Sequence, residues 1–469
     1  MEASELRRLN YYARSVKWLE VRSQSQAEEG YLLDIAFSLQ GRPMLPNLKT
    51  LVIHTPVQQC SMVIFLKAFM SRTIKVLTIW VDPGDNDSTS QTLSILQRAT
   101  STCPYLITLD VFAYNGLGTT RLEKHDARSI SRAVSKCTFK NFSMDFDMFS
   151  EEFMNFICSK RGPRTIGLLW DYDDDGSSTE VRVPLPRTFS ETPGPFQLLS
   201  ELTFRIGFES ITNVFRGVGC FPSLSNLKLE LVLHWQTERQ DLEQSLVHIC
   251  SSCCSLKTFV LIRYDSTPMP HQVDKSYTAN PPLHLVGGLQ ALKPILRLTF
   301  LRAFSFHHYW PLHVTDAQLT DFLRDCPPLD MLELNPHPIK DDAGVDTRLT
   351  MLVLPEIARL QPQLKRLSLF INPLIQPTIS PLGKLPNYKR FKSLAWISFG
   401  SSPIPEDWEA ILFLLGQLLP PQCSISTRIT MDAFRRLPKD KGGISHRRND
   451  WKKLQDSLSL ILRFRSFVE

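Results

Sequence analysis

The amino-acid sequence predicts an α/β solenoid, in which short parallel strands alternate with helices that form the return path. First, the pattern Leu-x-x-Leu-x-Leu recurs and is complete at 224–229, 329–334 and 364–369. Second, the segments between copies carry apolar residues at helical spacing. Third, Cys-Pro or a similar helix breaker stands before several copies. One frame held over so many units favours a solenoid over a doubly wound sheet.

The central apolar residue of the motif gives each unit a reference position. Successive central residues are 25 to 60 residues apart, and the widest gap contains a degraded copy at Ile166–Leu169. Most spacings exceed the ~20–29 residues of an ordinary leucine-rich repeat, which indicates a full helix on the return path. We therefore predict a leucine-rich repeat solenoid, a curved horseshoe with parallel strands on its concave face and helices on its convex face. The central residues are Leu19, Leu51, Leu77, Leu109, Phe142, Leu202, Leu227, Phe259, Phe304, Leu332, Leu367 and Ile397.

The segments between the motifs predict amphipathic helices. Thr315 is a candidate N-cap for a helix whose apolar stripe begins at Leu319 and ends at Cys326. Ser88 with Gln91 predicts a capping box before another stripe. A third stripe consists of Leu242, Leu246, Ile249 and Cys250.

The chain is predicted to be one elongated domain with two end caps. No long Gly/Ser linker interrupts it, and a solenoid grows by adding units rather than by thickening a core. We expect an N-terminal capping helix at 1–15 and a solenoid of about 12–13 irregular units at 16–420. A C-terminal cap with a basic loop and a terminal helix is expected at 421–469.

Charge is concentrated in one segment. The chain has a formal net charge of +6, and residues 435–453 contain eight Lys/Arg and two Asp, which also gives +6. The remainder is formally neutral, so a broad nucleic-acid surface is not expected. The basic segment is either a solvated loop, or a phosphate-binding patch or nuclear-import signal.

The terminal sequence and the cysteines indicate a cytoplasmic or nuclear protein. The first residues are polar, which predicts no signal peptide, and the longest apolar run, at 410–415, is too short for a membrane span. The ten cysteines are therefore expected to be reduced thiols. Cys103, Cys253 and Cys326 each precede a motif leucine by three residues, an offset that predicts a buried structural role.

No motif predicts catalysis, a cofactor or a metal. Cys250, Cys253 and Cys254 lack the second pair of ligands that a zinc site needs. The Asp171–Gly176 segment begins like a calcium loop, but Arg182 stands where a bidentate Glu belongs. Calcium-dependent binding through that loop remains an alternative. A second alternative is a small-molecule receptor in which the 263–285 insert covers the concave face.

Two features resemble the repeat region of fungal F-box-like proteins. One is the Tyr-Ala-Arg segment at 12–14 followed by the first strand, and the other is the Cys-Pro-x-Leu-x-x-Leu unit at Cys103 with its variant at Cys326. The resemblance implies a non-enzymatic substrate-recognition or scaffold protein whose repeats capture a target protein. The expectation is that an F-box is not present in this chain. A Skp-type adaptor and a cullin ubiquitin ligase are therefore implied as partners only if an F-box is supplied elsewhere.

The repeat frame also predicts the residues that bind the target. They lie before, between and after the last two apolar positions of each motif, and therefore point away from the core. Exposed aromatic side chains at such positions are typical anchors, unless end caps or inserted loops cover them. The mixed charges suit a protein partner better than nucleic acid. The predicted partner-binding residues are Trp18, Trp80, Asp110, Phe112, Arg205, Lys228, Glu230, Glu333, Arg366, Phe370 and Trp396.

Overall fold

A computed structural model gives the architecture, and contacts between residues divide the chain into two compact units. The N-terminal unit consists of Met1–Arg205 with Gly217–Leu224, and the C-terminal unit of Ile206–Arg216 with Ser225–Glu469. Each unit is a leucine-rich repeat solenoid of parallel strands and return helices. The structure describes residues 7–8, 11–22, 42–55, 62–82, 85–113, 124–145, 156, 162–169, 196–207, 215, 221–233, 239–265, 289–308, 311–338, 349–371, 389–404, 408–426 and 442–468.

The described part of the N-terminal unit has seven strands, each parallel to the next. Its three helices pack in sequence order, α1 on α2 and α2 on α3. The strands are β1 (Trp18–Val21), β2 (Thr50–His54), β3 (Val76–Val81), β4 (Thr108–Ala113), β5 (Asn141–Asp145), β6 (Thr165–Leu169) and β7 (Glu201–Gly207). The helices are α1 (Met62–Phe69), α2 (Asn86–Thr102) and α3 (Lys124–Val134).

The described part of the C-terminal unit also has seven parallel strands. They are β8 (Asn226–Leu233), β9 (Thr258–Asp265), β10 (Ala303–His307), β11 (Met331–Leu334), β12 (Arg366–Leu369), β13 (Trp396–Ser398) and β14 (Ser424–Ser426). The helices are α4 (Arg239–Ser252), a 3₁₀ helix (Leu289–Arg297), α5 (Asp316–Asp325), α6 (Val353–Leu360), α7 (Trp408–Leu418) and α8 (Gly442–Val468).

The strand register confirms the predicted repeat frame. The central residues of the N-terminal unit lie side by side on adjacent strands from Leu19 to Leu202, and Ile166 of the degraded copy fills its place between Phe142 and Leu202. The same holds from Leu227 to Ile397 in the C-terminal unit. The structure adds Ile425 on β14 to this row, a unit that the sequence frame missed.

Alternating burial shows why the motif builds this fold. On β3, Leu77, Ile79 and Val81 are fully buried and the residues between them are half-buried. Each buried leucine contributes about 1.5–3 kcal/mol, but a single strand and helix cannot enclose it. Neighbouring units therefore have to stack before any of them is stable.

A shared backbone carbonyl fixes the start of most of the described strands. The Lys17 carbonyl accepts hydrogen bonds from the amides of both Lys49 and Thr50, and the Lys49 carbonyl does the same for Lys75 and Val76. The arrangement recurs in the C-terminal unit, where for example the Asp330 carbonyl accepts from Lys365 and Arg366. Strands β2 to β7 and β9 to β13 are thus aligned on their predecessors at their first residues.

The cysteines before the motifs have the structural role that their offset predicts. Cys103 and Cys253 are buried, and each closes a turn by accepting a hydrogen bond from the amide of the leucine three residues later. Burial raises the pKa of the Cys103 thiol to about 11 and that of the half-buried Cys326 to about 12. These thiols therefore stay protonated and unreactive at neutral pH.

One predicted helix cap is confirmed and another is wrong. Thr315 caps α5 in a complete capping box with Gln318. The helix α2 instead begins with Asp85 as its N-cap, which accepts a hydrogen bond from the Asp87 amide. Ser88 lies inside the helix, where its hydroxyl accepts from the Asp82 amide at 2.8 Å. Asp85 therefore takes the capping position that the sequence assigned to Ser88, and the Ser88 hydroxyl is used by the Asp82 amide instead.

The terminal helix α8 covers the last described units. Trp451 stacks on Phe399 with ring centroids 4.7 Å apart, and its indole N–H donates to the Ser402 carbonyl at 2.8 Å. The Arg465 guanidinium donates to the carbonyls of Gly416 and Leu419, which satisfies the open end of α7. The boundaries of the two predicted caps stay a prediction. In the part of the chain that the structure describes, no helix combines the length and hydrophobicity needed to span a bilayer.

Candidate protein-binding surface

The candidate site is the face of each sheet that carries the residues before, between and after the last two apolar positions of the motif. We call this the open face. Its residues alternate along each strand with the buried leucines, so they project away from the core. In both units the side chains at these positions form rows across the strands, because the register is constant.

The N-terminal unit carries a row of three rings on its open face. His54, Trp80 and Phe112 occupy the same frame position on β2, β3 and β4 and lie side by side in register. The His54 and Trp80 rings stack with centroids 5.8 Å apart and planes 7° apart, and the Trp80 and Phe112 centroids lie 4.9 Å apart. All three residues are half-buried. We call these three residues the aromatic row.

Polar contacts hold the aromatic row in position. The Glu20 carboxylate accepts from His54 Nε2 at 3.0 Å and from Arg22 Nε at 2.8 Å. Hydrogen bonds from Arg22 and then His54 lower the pKa of Glu20, so its carboxylate stays ionised. The buried Thr55 donates through its amide and its hydroxyl to the Trp80 carbonyl, at 2.7 and 3.0 Å. The row is therefore pre-arranged at its His54 end and along the backbone of β3.

Asp110 lies on the same strand as Phe112, two residues before it. The Thr78 hydroxyl donates to Asp110 Oδ2 at 3.3 Å, and the Ser143 side chain on the other neighbouring strand is a second hydrogen-bond partner. Burial raises the pKa of Asp110, and these two hydroxyl hydrogen bonds only partly oppose the rise. A half-buried carboxylate thus lies beside the aromatic row with hydroxyls for partners.

The open face of the C-terminal unit is organised differently, because its charges pair with one another. Lys228 forms an ion pair with Glu230 at 2.7 Å. Glu333 Oε2 accepts from the Ser305 hydroxyl at 2.8 Å and lies 3.6 Å from His307 Nε2. Burial acts to raise the pKa of Glu333, but the hydrogen bonds and charge of His307 and the Ser305 hydroxyl outweigh it and lower the pKa.

The Ser305, His307 and Glu333 cluster does not have the geometry of a catalytic triad. Ser305 Oγ lies 2.8 Å from His307 Nε2, and the Glu333 carboxylate faces that same nitrogen. A triad requires the carboxylate on the opposite ring nitrogen, so that the nucleophile has the first one to itself. Ser305 is also buried, with 1% of its surface exposed. The cluster is a structural hydrogen-bond network.

The predicted partner-binding residues fall into three groups in the structure. Trp18 and Arg366 are exposed, and Trp18 has 57% of its surface accessible. Glu230 and Phe370 are buried at 7% each, so the prediction that Phe370 is an exposed anchor is wrong. The strand β12 ends at Leu369, and the alternation that would turn Phe370 outward ends with it. The half-buried group consists of Trp80, Asp110, Phe112, Lys228, Glu333 and Trp396.

Several predictions fall outside the described residues. These are the Arg205 side chain, the Asp171–Gly176 loop and most of the 263–285 insert. In the basic segment, residues 435–441 are not described, and residues 442–450 are described only as helical backbone. Among the residues that are described, no group of three or more His, Cys, Asp or Glu side chains is placed to hold a metal ion.

Sequence reasoning missed His54, although the frame could have found it. The residue stands three positions after the central Leu51, the same place that Trp80 and Phe112 occupy after Leu77 and Leu109. A single histidine between Ile53 and Thr55 gives no signal by itself. Only the strand register shows that it extends the pair of rings to three.

Comparison with known proteins gives similarity to solved structures. No protein-family model and no curated protein matches the chain. Among solved structures, the chain is similar to the leucine-rich repeat-containing protein LegL7 from Legionella pneumophila, with 12% sequence identity and a TM-score of 0.36. The alignment covers 73% of this chain and 96% of LegL7. The site described above rests on the register, burial and hydrogen bonds of this chain.

Proposed function

We propose that this chain is a non-enzymatic protein-interaction module that binds a target protein on the open face of its N-terminal unit. The observation that carries the proposal is the aromatic row of His54, Trp80 and Phe112. Three adjacent half-buried rings on a polar sheet face resemble the clustered aromatic anchors that dominate binding energies at protein interfaces.

The way the row is held supports a binding role. Stacking between the rings and the hydrogen bond from His54 to Glu20 restrict side-chain rotation before any partner arrives. A partner would then lose less side-chain entropy on binding, by roughly 0.5–1.5 kcal/mol for each ring already fixed. The exposed Trp18, on β1 beside Glu20, extends the surface at one edge.

The more specific role is F-box-like substrate recognition or scaffolding, proposed from the resemblance of the Tyr-Ala-Arg and Cys-Pro-x-Leu features. A Skp-type adaptor and a cullin ligase enter this proposal only through an F-box supplied elsewhere. Residence in the cytoplasm or nucleus is supported by the described cysteines, which are free thiols. No described residue specifically favours the small-molecule or calcium alternatives.

Affinity purification of the tagged full chain, followed by mass spectrometry, tests the binding surface. We expect Trp80→Ala and Phe112→Ala to remove at least one co-purifying protein while leaving the circular dichroism spectrum unchanged. The matched control is Phe300→Ala, which truncates a 61% exposed aromatic residue in the other unit. If both folded variants keep every partner of the wild-type chain, the proposal is wrong.

A further inference from the structure

We propose that the aromatic row binds an arginine side chain of the partner, whose guanidinium stacks on Trp80 and Phe112 and pairs with Asp110. This inference rests on the proposed function, because it names the chemistry of the partner segment at the same surface. It depends on three observations, namely the arrangement of the rings, the hydrogen-bond partners of the Asp110 carboxylate and the charges around that carboxylate.

The rings supply one half of the recognition. Trp80 and Phe112 lie side by side with centroids 4.9 Å apart and planes inclined by 43°, and they form an angled pair on the side of Trp80 away from the stacked His54. A cation within about 6 Å of such a ring face is attracted by the ring quadrupole, and Trp is the strongest partner. A planar guanidinium also stacks on the ring, which an ammonium cannot do.

Asp110 supplies the other half. It stands two residues before Phe112 on β4, and successive outward residues of a strand are roughly 7 Å apart. Its identified partners are the hydroxyls of Thr78 and Ser143. An ionised carboxylate offers about four lone-pair sites, so two hydroxyl donors leave it able to accept a bidentate guanidinium.

The surrounding charges leave Asp110 uncompensated. Among the described open-face side chains of β1 to β5, the formally charged residues are Glu20, Arg22 and Asp110. Glu20 and Arg22 pair with each other at 2.8 Å. Among these described side chains, the Asp110 carboxylate is therefore the negative charge that no described neighbour neutralises, which is complementary to a cation.

Asp110 also argues against the other kinds of anchor. An apolar side chain on Trp80 and Phe112 would remove more water from a half-buried carboxylate and offer it no partner, which costs binding free energy. An acidic side chain would add repulsion. A lysine would satisfy the charge, but it would lose the stacking and the bidentate geometry. Arginine satisfies the rings and the carboxylate together.

Selection from a random 12-residue peptide library on the immobilised full chain tests the inference. Peptides are sorted by whether they still bind the Trp80→Ala protein. We expect the Trp80-dependent peptides to be enriched in arginine. Replacing that arginine with citrulline, which keeps the shape and removes the charge, should weaken binding at least tenfold, and replacement with lysine should weaken it less.

Asp110→Asn is the matching change in the protein. It should weaken the arginine peptides about tenfold and leave their citrulline versions unaffected. The control is Asp456→Asn, which removes one exposed carboxylate from α8. Trp80-dependent peptides that contain no arginine, or that bind equally well with citrulline, would overturn the inference and leave the proposed function standing. If no selected peptide depends on Trp80 for binding, both the inference and the proposed function are wrong.

Discussion

The two units use the same frame positions in different ways. In the N-terminal unit, the position three residues after the central residue carries His54, Trp80 and Phe112, whose rings contact one another and stay half-exposed. In the C-terminal unit the corresponding residues include Asn335 and Gly400. The Asn335 side chain accepts a hydrogen bond from the His308 amide at 2.8 Å and is buried.

The two open faces differ in whether their polar and aromatic side chains already have interaction partners within the unit. On the C-terminal open face, ion pairs and hydrogen bonds join Lys228 to Glu230, Ser305 and His307 to Glu333, and Asn335 to the His308 amide. These groups stabilise the unit and have little left to offer a ligand. The N-terminal open face keeps ring surface and an uncompensated carboxylate in partial contact with water. The position of a residue in the repeat therefore does not by itself identify a binding residue. It does so when the side chain also keeps exposed ring surface or a charge without an opposite charge beside it.

The largest effect is expected from a glycine substitution in the C-terminal unit. It tests whether the backbone segments at the C-terminal open face approach one another more closely than those at the N-terminal open face. Gly400 has a φ of +57°, and a Cβ there would lie 1.6 Å from the Pro336 carbonyl oxygen. Gly400→Ala should lower the free energy of unfolding by more than about 3 kcal/mol, measured by urea denaturation.

The N-terminal counterpart is Gly167→Ala. The nearest atom to its Cβ would be the Ser143 hydroxyl oxygen, at 3.0 Å, and a serine side chain can rotate away. We expect a cost below about 1 kcal/mol. Equal costs for the two substitutions would mean that the faces do not differ in how closely their backbones approach.

A pH effect confined to the C-terminal unit is next in size. Burial lowers the pKa of His337 to about 4, and its Nδ1 atom is buried without a hydrogen-bond partner among the described residues. The unfolded chain takes up this proton near pH 6.5 and the folded chain does not, so stability falls as the pH drops from 6.5 towards 4. The loss is at most about 3 kcal/mol, and about 2 kcal/mol of it should occur by pH 5.

Urea denaturation of the wild type and of His337→Leu at pH 7.5 and pH 5 measures this effect. The variant should lose less stability than the wild type over that interval, and His125→Leu in the N-terminal unit, an exposed histidine, should behave like the wild type. The lowered pKa of Glu333 acts below its ordinary value of 4.5, outside the interval. An unchanged pH dependence in His337→Leu contradicts the assignment.

The smallest effect is expected at Asp110, which is compared with the carboxylate of Glu333. Glu333→Gln removes a charge that Ser305 and His307 stabilise, and should cost about 1.5–3 kcal/mol at pH 7. Asp110→Asn removes a charge that burial destabilises, so stability should stay constant or rise. Thermal denaturation of both variants at pH 7 decides between these outcomes. A fall in the melting temperature of Asp110→Asn as large as that of Glu333→Gln would show that Asp110 is structural.

The sequence predicted the fold class and the strand register because both follow from a repeated burial pattern. The central rows from Leu19 to Leu202 and from Leu227 to Ile397 could be placed in advance, and Ile425 on the last short strand was missed. The burial of each open-face side chain could not be predicted, since it depends on contacts with side chains of neighbouring strands. Phe370 and Trp80 have equivalent frame positions, yet one is buried and the other half-exposed.

The shared carbonyl at the start of most described strands affects how the sequence of such a chain can vary. Because the Lys17, Lys49 and Asp330 carbonyls each re-establish the register at the next strand, the length of an intervening segment has no effect on the alignment that follows it. Insertions and deletions in the return path are therefore structurally local. A lineage of such chains could change its loops freely while inheriting the rows of its open face intact, so mutational tolerance and recognition would evolve on separate parts of the molecule.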